Sequence, residues 1–486
     1  MPTLRRLAAV LAVLCLLAGG GYAIARSAAE AAVAEAIARL RTALGPGAVI
    51  EHGAIRAEPI AGRVRISILT VSLDSGNAEA FIVSDVVIDG LRPGGAGFGR
   101  LSLHGIRILQ GAEERGRIGS MTIEGLTLPA EPGFSLADIR LDSLDVLDVA
   151  IPHTDGLDGH ALYLGYLHLG GIGGDQEDRI ELSDLVILGP SAANRMSLIE
   201  RLELARLEVV NARLHEAVLS VLEGRPPPVP NRASSALLRG LLVRAPGQAF
   251  LRIDDAEGRN EEIEGQDGVL RNTLAVRGMV IGLPMSLAAL DGLDELRLTI
   301  TGEGTGHQER GDFDVRSIRV EAEGLGVVDL GYRVTGAVLP PAGDPMENGE
   351  LHGLRLVFEE SGLVARALAG EARRSGRSAS EVRAQVAAGL DRLQALLDTL
   401  PPGAASPEPK DGVEPPLANS KLGPQPARPG TARSGQALRT LLDGGRRVTV
   451  IAAPARPVPF AEQARHLADV SPEALFRLLG VRIEVQ

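Results

Sequence analysis

Leu101-Ser102-Leu103-His104-Gly105-Ile106-Arg107-Ile108 is the stretch on which the fold turns. Apolar residues at 101 and 103, then at 106 and 108, alternate with other residues. This is the mark of a strand with one buried face, because successive side chains leave a pleat on opposite sides. Two residues separate the apolar pairs, where strict alternation allows one. The extra residue throws the second pair onto the opposite face unless the backbone absorbs it in a bulge or a corner. Gly105, just ahead of the second pair, is the residue type such a bend demands.

Outward from this segment the pattern recurs. Upstream it reads Val64/Ile66/Leu69/Val71 and Phe81/Val83/Val86/Ile88. Downstream it reads Met121/Ile123/Leu126/Leu128, Ile139/Leu141/Leu144/Val146, Leu162/Leu164/Leu167/Leu169, Ile180/Leu182/Leu185/Ile187 and Leu202/Leu204/Leu207/Val209. Weaker copies follow at Ala236/Leu238/Leu241/Val243, Leu274/Val276/Met279/Ile281 and Phe313/Val315/Ile318/Val320. The residue before the second pair is Gly at 105, 125, 240 and 278, Ser at 143 and 317, and Asp at 85 and 184, all compatible with a bend. Each copy therefore predicts a bent strand whose aliphatic side chains face one way.

The expected fold is mainly β: an elongated, curved, repeat-like sheet, with an N-terminal transmembrane helix and a C-terminal α+β part holding a helical hairpin. A curved sheet makes a groove whether its strands form an antiparallel meander or the rungs of a solenoid, and the pattern does not separate the two. The four copies from Leu101 to Leu169 are its expected lining. Ordinary β-sandwiches are the competing reading, since their strands also alternate and recur. The regular spacing, the uniform bend signal and the scarcity of aromatics favour the single curved array.

Composition narrows the function. The 486 residues are 45% hydrophobic but only 2% aromatic, with no Trp, so the interior is aliphatic. Sugar sites and single-stranded nucleic-acid platforms stack on aromatic rings, and a net charge of -12 opposes phosphate binding, so nucleic acid is not an expected partner. The one cysteine, Cys15, lies in the apolar N-terminal run, which leaves the rest of the chain without a disulfide or a thiolate metal site. Lys410 and Lys421 are the only lysines among 50 basic residues, a bias read as genomic rather than as an anion-binding design.

Arg5 and Arg6 precede an uncharged run from Leu7 to Ala25, close to the length that spans a bilayer core. A retained anchor over 1–25 is the favoured reading; a signal peptide cut after Ala23-Ile24-Ala25 is the alternative. Either way the paired arginines hold the N-terminus in the cytoplasm and the bulk of the chain is exported, and a retained anchor makes the protein single-pass. Residues 26–45 read as an Ala-rich juxtamembrane helix.

Two β regions come next, 46–224 and 231–358, parted by Arg225-Pro226-Pro227-Pro228-Val229-Pro230 after a short helical pattern from Leu214 to Leu222. Residues 359–400 form the helical hairpin: Ser361–Arg374 stops at Gly376, and Ser378-Ala379-Ser380-Glu381 is a capping box for the next helix. Val382, Val386, Leu390, Leu393 and Leu397 share one helical face, expected to pack on the sheet. Nine prolines mark 401–434 as a linker. A C-terminal α+β segment, 435–486, holds strands at Arg447–Ala452 and Val481–Val485 around a helix opened by Ser471-Pro472 and closed by Gly480.

No residue set passes as an active site. His160 and His168 flank one repeat without a ligand partner at metal spacing. Asp142, Asp145, Asp148, Asp155 and Asp158 lack the spacing of a calcium loop and read as solvated strand positions. Gly302-Glu303-Gly304-Thr305-Gly306 and the glycines from Gly94 to Gly99 lack the Lys and Ser/Thr of a phosphate loop and read as turns. There is no Gly-x-Ser-x-Gly nucleophile elbow, and no catalytic residue, metal or cofactor is expected.

Together, the apolar N-terminal helix, the array of segments such as Leu101–Ile108 and Met121–Leu128, and the helix-containing C-terminal end resemble the AsmA-like envelope proteins of Gram-negative bacteria, relatives of the bridge-like lipid-transfer proteins. The resemblance covers residues 1–360 in pattern. It implies a non-enzymatic protein anchored in the bacterial inner membrane by a single pass, with the bulk of the chain periplasmic, whose aliphatic groove takes phospholipid or another acyl-chain ligand, or which serves envelope assembly with other envelope proteins. The alternative is a structural or adaptor protein with a closed β core, acting through loops and C-terminal helices.

Overall fold

A computed structural model describes residues 48–58, 62–73, 79–90, 98–127, 140–152, 161–172, 177–189, 199–211, 233–245, 250–282, 293–338, 345–398, 446–461 and 478–486, with single positions at 213, 216, 439, 440, 442, 444 and 463. The expected anchor (1–25), the juxtamembrane helix (26–45), the linker (401–434) and most of the helix opened by Ser471 lie outside them. So do nearly all of the Leu214–Leu222 helix and, of the expected lining, Leu128 and Ile139. Among the described residues no helix is long and apolar enough to cross a membrane.

The chain divides into two compact units, with the division near residue 246. The first holds β1 (Ala48–His52), β2 (Ile55–Glu58), β3 (Arg63–Leu73), β4 (Glu79–Asp89), β5 (Arg100–Gln110), β6 (Glu113–Glu124), β7 (Leu141–Ile151), β8 (Ala161–Ile172), β9 (Arg179–Leu188), β10 (Arg201–Val210) and β11 (Ser234–Arg244). From β3 to β11 every strand pairs antiparallel with the next, so the array is a meander and not a solenoid. The two short strands β1 and β2 pair with opposite halves of β3. The Pro-rich break at 225–230 leaves β11 with the first unit, because its ladder is with β10.

The second unit holds β12 (Phe250–Glu262), β13 (Leu270–Gly282), β14 (Glu295–His307), β15 (Asp312–Ala322), β16 (Gly326–Thr335), β17 (Glu350–Glu360), α1 (Leu363–Ser375), α2 (Ala379–Asp398), β18 (Arg447–Ala452), β19 (Val458–Pro459) and β20 (Val481–Val485). A single helical turn, Pro345–Asn348, precedes β17. The meander repeats from β12 to β17, and β18 and β19 then pair with different parts of β17. The Gly302–Gly306 run, read as a turn, is the interior of β14. Its three glycines alternate on one face, where an apolar-pattern search finds no side chain to count, and Gly306 is paired with Phe313, whose ring occupies the space its own Cβ would take.

α1 ends at Gly376 in the left-handed conformation, as a C-terminal glycine should. The capping box of α2 forms in full: the Ser378 N–H donates to Glu381 Oε2 at 2.8 Å and the Glu381 N–H donates to Ser378 Oγ at 3.3 Å. The Ser378 hydroxyl also donates to Glu381 Oε2 at 2.8 Å, and the backbone bond first, then this hydroxyl bond, hold the Glu381 carboxyl below its usual range. The apolar stripe of α2 meets α1 rather than the sheet. Val382 clusters with Leu368, Ala372 and Leu442, Leu390 is half-buried beside them, and Val386 is exposed. The side chains of Leu393 and Leu397 are outside the described set.

Candidate functional site

The extra residue of each repeat becomes a line crossing the first unit. Ile68, Ser84, Gly105, Gly119, Asp148, Gly165, Asp184, Ala205 and Gly240 each fall opposite the next across β3 to β11, and at each the ladder skips one position on both strands. Because both partners carry the insertion, register continues unshifted on either side. The line alternates in conformation. Ile68, Gly105, Asp148, Asp184 and Gly240, on every second strand, have φ between 53° and 62°, whereas the residues between them are small and have ordinary φ. A left-handed residue re-aims the strand and restores the second apolar pair to the first pair's face. Small neighbours are required because the line is tight: a Cβ on Gly165 would lie 2.9 Å from that of Asp184, and one on Gly240 2.8 Å from that of Ala205. We call this line the crease.

On one face, two rows of apolar residues run along each side of the crease. One adjacent row is Ile66, Val86, Leu103, Met121, Val146, Leu167, Leu182, Leu207 and Leu238; the other is Leu69, Val83, Ile106, Ile118, Val149, Leu164, Leu185, Leu204 and Leu241. The outer rows run from Val64 to Ala236 and from Val71 to Val243, and Gly116 is the one position in either that lacks an apolar side chain. At a strand separation of about 4.8 Å the rows extend about 38 Å.

Burial changes along the rows. Ile66, Leu69, Val86, Ile88 and Leu101 are wholly buried, and Ile50 of β1, Ala57 of β2 and Phe98 join residues of β3 to β7 in one packed cluster. That end of the first unit is a filled core, at about 1.5–3 kcal/mol for each large aliphatic side chain removed from water. From β8 to β11 most of the rows are half-buried, Leu204 being an interior exception and Ala236 exposed.

The expected lining residues divide accordingly. Leu101, Leu103, Ile106, Met121, Ile123, Leu126 and Val146 are buried in the cluster; Ile108, Leu141, Leu144, Leu162, Leu164 and Leu167 are half-buried against it, and Leu169 is half-buried at the end of its row. Two repeats are also out of phase with their strands. In β6 the bend is at Gly119, so Ile118, Met121 and Ile123 share the face while Leu126 lies beyond the strand's end. In β7 it is at Asp148 and not Ser143, and the inward set is Leu144, Val146, Val149 and Ile151. Ile118 and Val149 fall outside the eleven apolar segments, yet both are legible once the Gly119-Ser120 and Leu147-Asp148 pairs are taken as the interruptions.

The opposite face is mixed: Ile82, Val87, Leu147, Val186, Leu237 and Leu242 lie on it among charged and polar residues. Arg63 and Arg65 lie 2.6 Å from Asp89 and Asp85, contacts that raise both guanidinium pKa values. Arg179 and Arg206 form a ring with Glu181 and Glu208, with contacts of 2.7–3.4 Å. Asp145 accepts a hydrogen bond from the Tyr166 hydroxyl at 2.8 Å and contacts His168 Nδ1 at 2.8 Å. Burial, then that bond to Asp145, pushes the Tyr166 phenol up to about 12. His168 is thus a cross-strand partner, while His160, Asp155 and Asp158 lie outside the described residues. Asp142 and Asp148 each overlie a glycine of β6 or its end, Gly125 and Gly119.

Elsewhere, a cleft of about 440 Å³ in the second unit is lined by Arg252, Asp254, Met279, Arg297, Leu298 and Glu321 among others. Its guanidiniums already face carboxylates, Arg252 to Asp254 at 3.2 Å and Arg297 to Glu323 at 3.9 Å, and Glu321 adds a third carboxylate, so the charged lining is net acidic by one and offers an anion no attraction. Among the described residues no group of His, Cys, Asp and Glu is placed to hold a metal ion. No protein-family model matches the chain, and neither does any curated protein or solved structure.

Proposed function

We propose that the protein is a non-enzymatic, inner-membrane-anchored periplasmic protein of the AsmA-like kind, and that the aliphatic face of β8 to β11 receives the acyl chains of a lipid. The observation that carries this is the unbroken apolar surface left half-buried there. Acyl chains suit such a surface at about 0.8 kcal/mol per buried methylene and need neither an aromatic platform nor a charged anchor. The uncharged run from Leu7 to Ala25 supports the anchor and the export of the remainder of the chain.

A specific observation also favours a second reading. The cluster spanning β1 to β7 is filled, so the first unit would serve as scaffold alone were β8 to β11 covered by another protein.

A photoactivatable palmitate analogue fed to cells producing the full chain separates the two. Adducts at Leu164, Leu185, Leu207 or Leu241 support the acyl reading. Adducts absent from β8 to β11, with protein cross-links in their place, overturn it in favour of the scaffold.

A further inference from the structure

The crease interrupts the ladder of nine consecutive strands at one aligned position, and it does so with left-handed backbone at three non-glycine residues, Ile68, Asp148 and Asp184. Such conformations cost free energy, persist where the surroundings impose them, and concentrate where a segment has a mechanical or functional task.

A second observation is independent of backbone geometry. Eleven ion pairs join side chains of β3 to β10, and each of them links two residues on the same side of the crease. Arg65–Asp85, His168–Asp145 and the Arg179/Glu181/Arg206/Glu208 ring tie strands together on one flank, and Arg107–Glu114 does so on the other. Six of these pairs tie neighbouring strands together on one flank and one, between β5 and β6, does so on the other; the remaining four lie within a single strand, and none of the eleven bridges the crease.

At the crease itself the residue pairing is interrupted, and one side-chain bond between facing residues is the Ser84 hydroxyl donating to the Gly105 carbonyl at 3.1 Å. In β3 to β6 the packed cluster holds both flanks from within; in β8 to β11 the rows on either side are only half-buried and this restraint is weaker.

We infer that the crease is a flexure line about which the two flanks of β8 to β11 pivot, widening and narrowing the apolar trough between them. The pivot rests on the interrupted pairing and the same-side ion pairs alone. That an acyl chain narrows it rests on the function proposed above.

Spin labels test the two statements separately. In the full chain carrying Cys15→Ser and held in nanodiscs, Ser235→Cys with Leu242→Cys reports across the crease on β11, and Ile82→Cys with Leu242→Cys reports along one flank. The cross-crease distance distribution should be roughly twofold broader than the within-flank one, and dodecanoic acid should narrow it. Asp184→Gly, which frees a left-handed position, should broaden the cross-crease distribution and leave the within-flank one unchanged. A cross-crease distribution as narrow as the flank's, in both the parent and Asp184→Gly, overturns the pivot. A broad distribution that ignores dodecanoic acid keeps the pivot and overturns the acyl occupant.

Discussion

Asp148 lies across Gly119: a Cβ placed on that glycine would come within 2.9 Å of the aspartate's own. Each residue is what the other permits. Asp148 holds φ at 56°, a conformation tolerated by Asp far better than by a branched side chain, and Gly119 leaves the space beside it. Asp148→Gly is therefore expected to leave stability nearly unchanged, while Asp148→Val should cost about 1–2 kcal/mol. Urea unfolding of the two variants checks this; equal midpoints would show that the crease imposes no backbone requirement at 148.

Leu69 and Leu185 occupy the same row at its filled and half-buried ends. Leu69→Ala removes packed atoms with no solvent to replace them and should lose about 2–5 kcal/mol. Leu185→Ala should lose about 1 kcal/mol, since much of its surface is already hydrated. Comparable losses at both positions in denaturant titrations would mean that β9 is as tightly packed as β3.

Tyr166 is protonated to higher pH in the folded chain than in the unfolded one. The folded state thus binds the phenolic proton more tightly, and the resulting stability is fully present below about pH 10 and is lost as pH rises towards about 12. Asp145→Asn takes away the acceptor's charge and should lower the Tyr166 pKa, with burial still holding it above the ordinary value. Tyrosinate absorbance, taken as the difference from Tyr166→Phe, reads this directly. An unchanged titration in Asp145→Asn would exclude Asp145 from the cause.

The capping box of α2 gives an acid-side counterpart. Glu381 is held below its usual pKa, so its contribution is present above the unfolded carboxyl range and disappears as pH falls through the folded value. Ser378→Ala should destabilise the helical hairpin by about 1 kcal/mol and bring the Glu381 titration towards the usual range, seen as a shifted carboxyl resonance. A Ser378→Ala protein with an unmoved resonance would exclude the Ser378 hydroxyl as a cause and leave the backbone N–H of residue 378 as the group that holds the carboxyl down.

The bent strands were legible because alternation and its interruption are both written in side-chain polarity. Phase was not always legible: Leu126 lies past the end of β6 and yet is buried, so the apolar pattern runs on beyond the strand and hides the true bend at Gly119. β14 escaped the pattern because Gly302, Gly304 and Gly306 occupy its facing positions. Whether a row is filled or half-buried could not be read at all. Leu69 and Leu185 are the same residue in the same motif, and only the neighbours supplied by β1, β2 and Phe98 distinguish the sealed end.

The alternation of left-handed and small residues gives the array a parity. Across β3 to β11 each left-handed residue faces a small one, and the room is spent: a Cβ on Gly165 would lie 2.9 Å from that of Asp184. Loss or gain of one strand would break that rule and reverse chain direction as well; loss or gain of a hairpin breaks neither. Proteins built on this plan should therefore differ in length by whole hairpins, about 40 residues at a time at the spacing seen here, which makes the hairpin the quantum of their evolution.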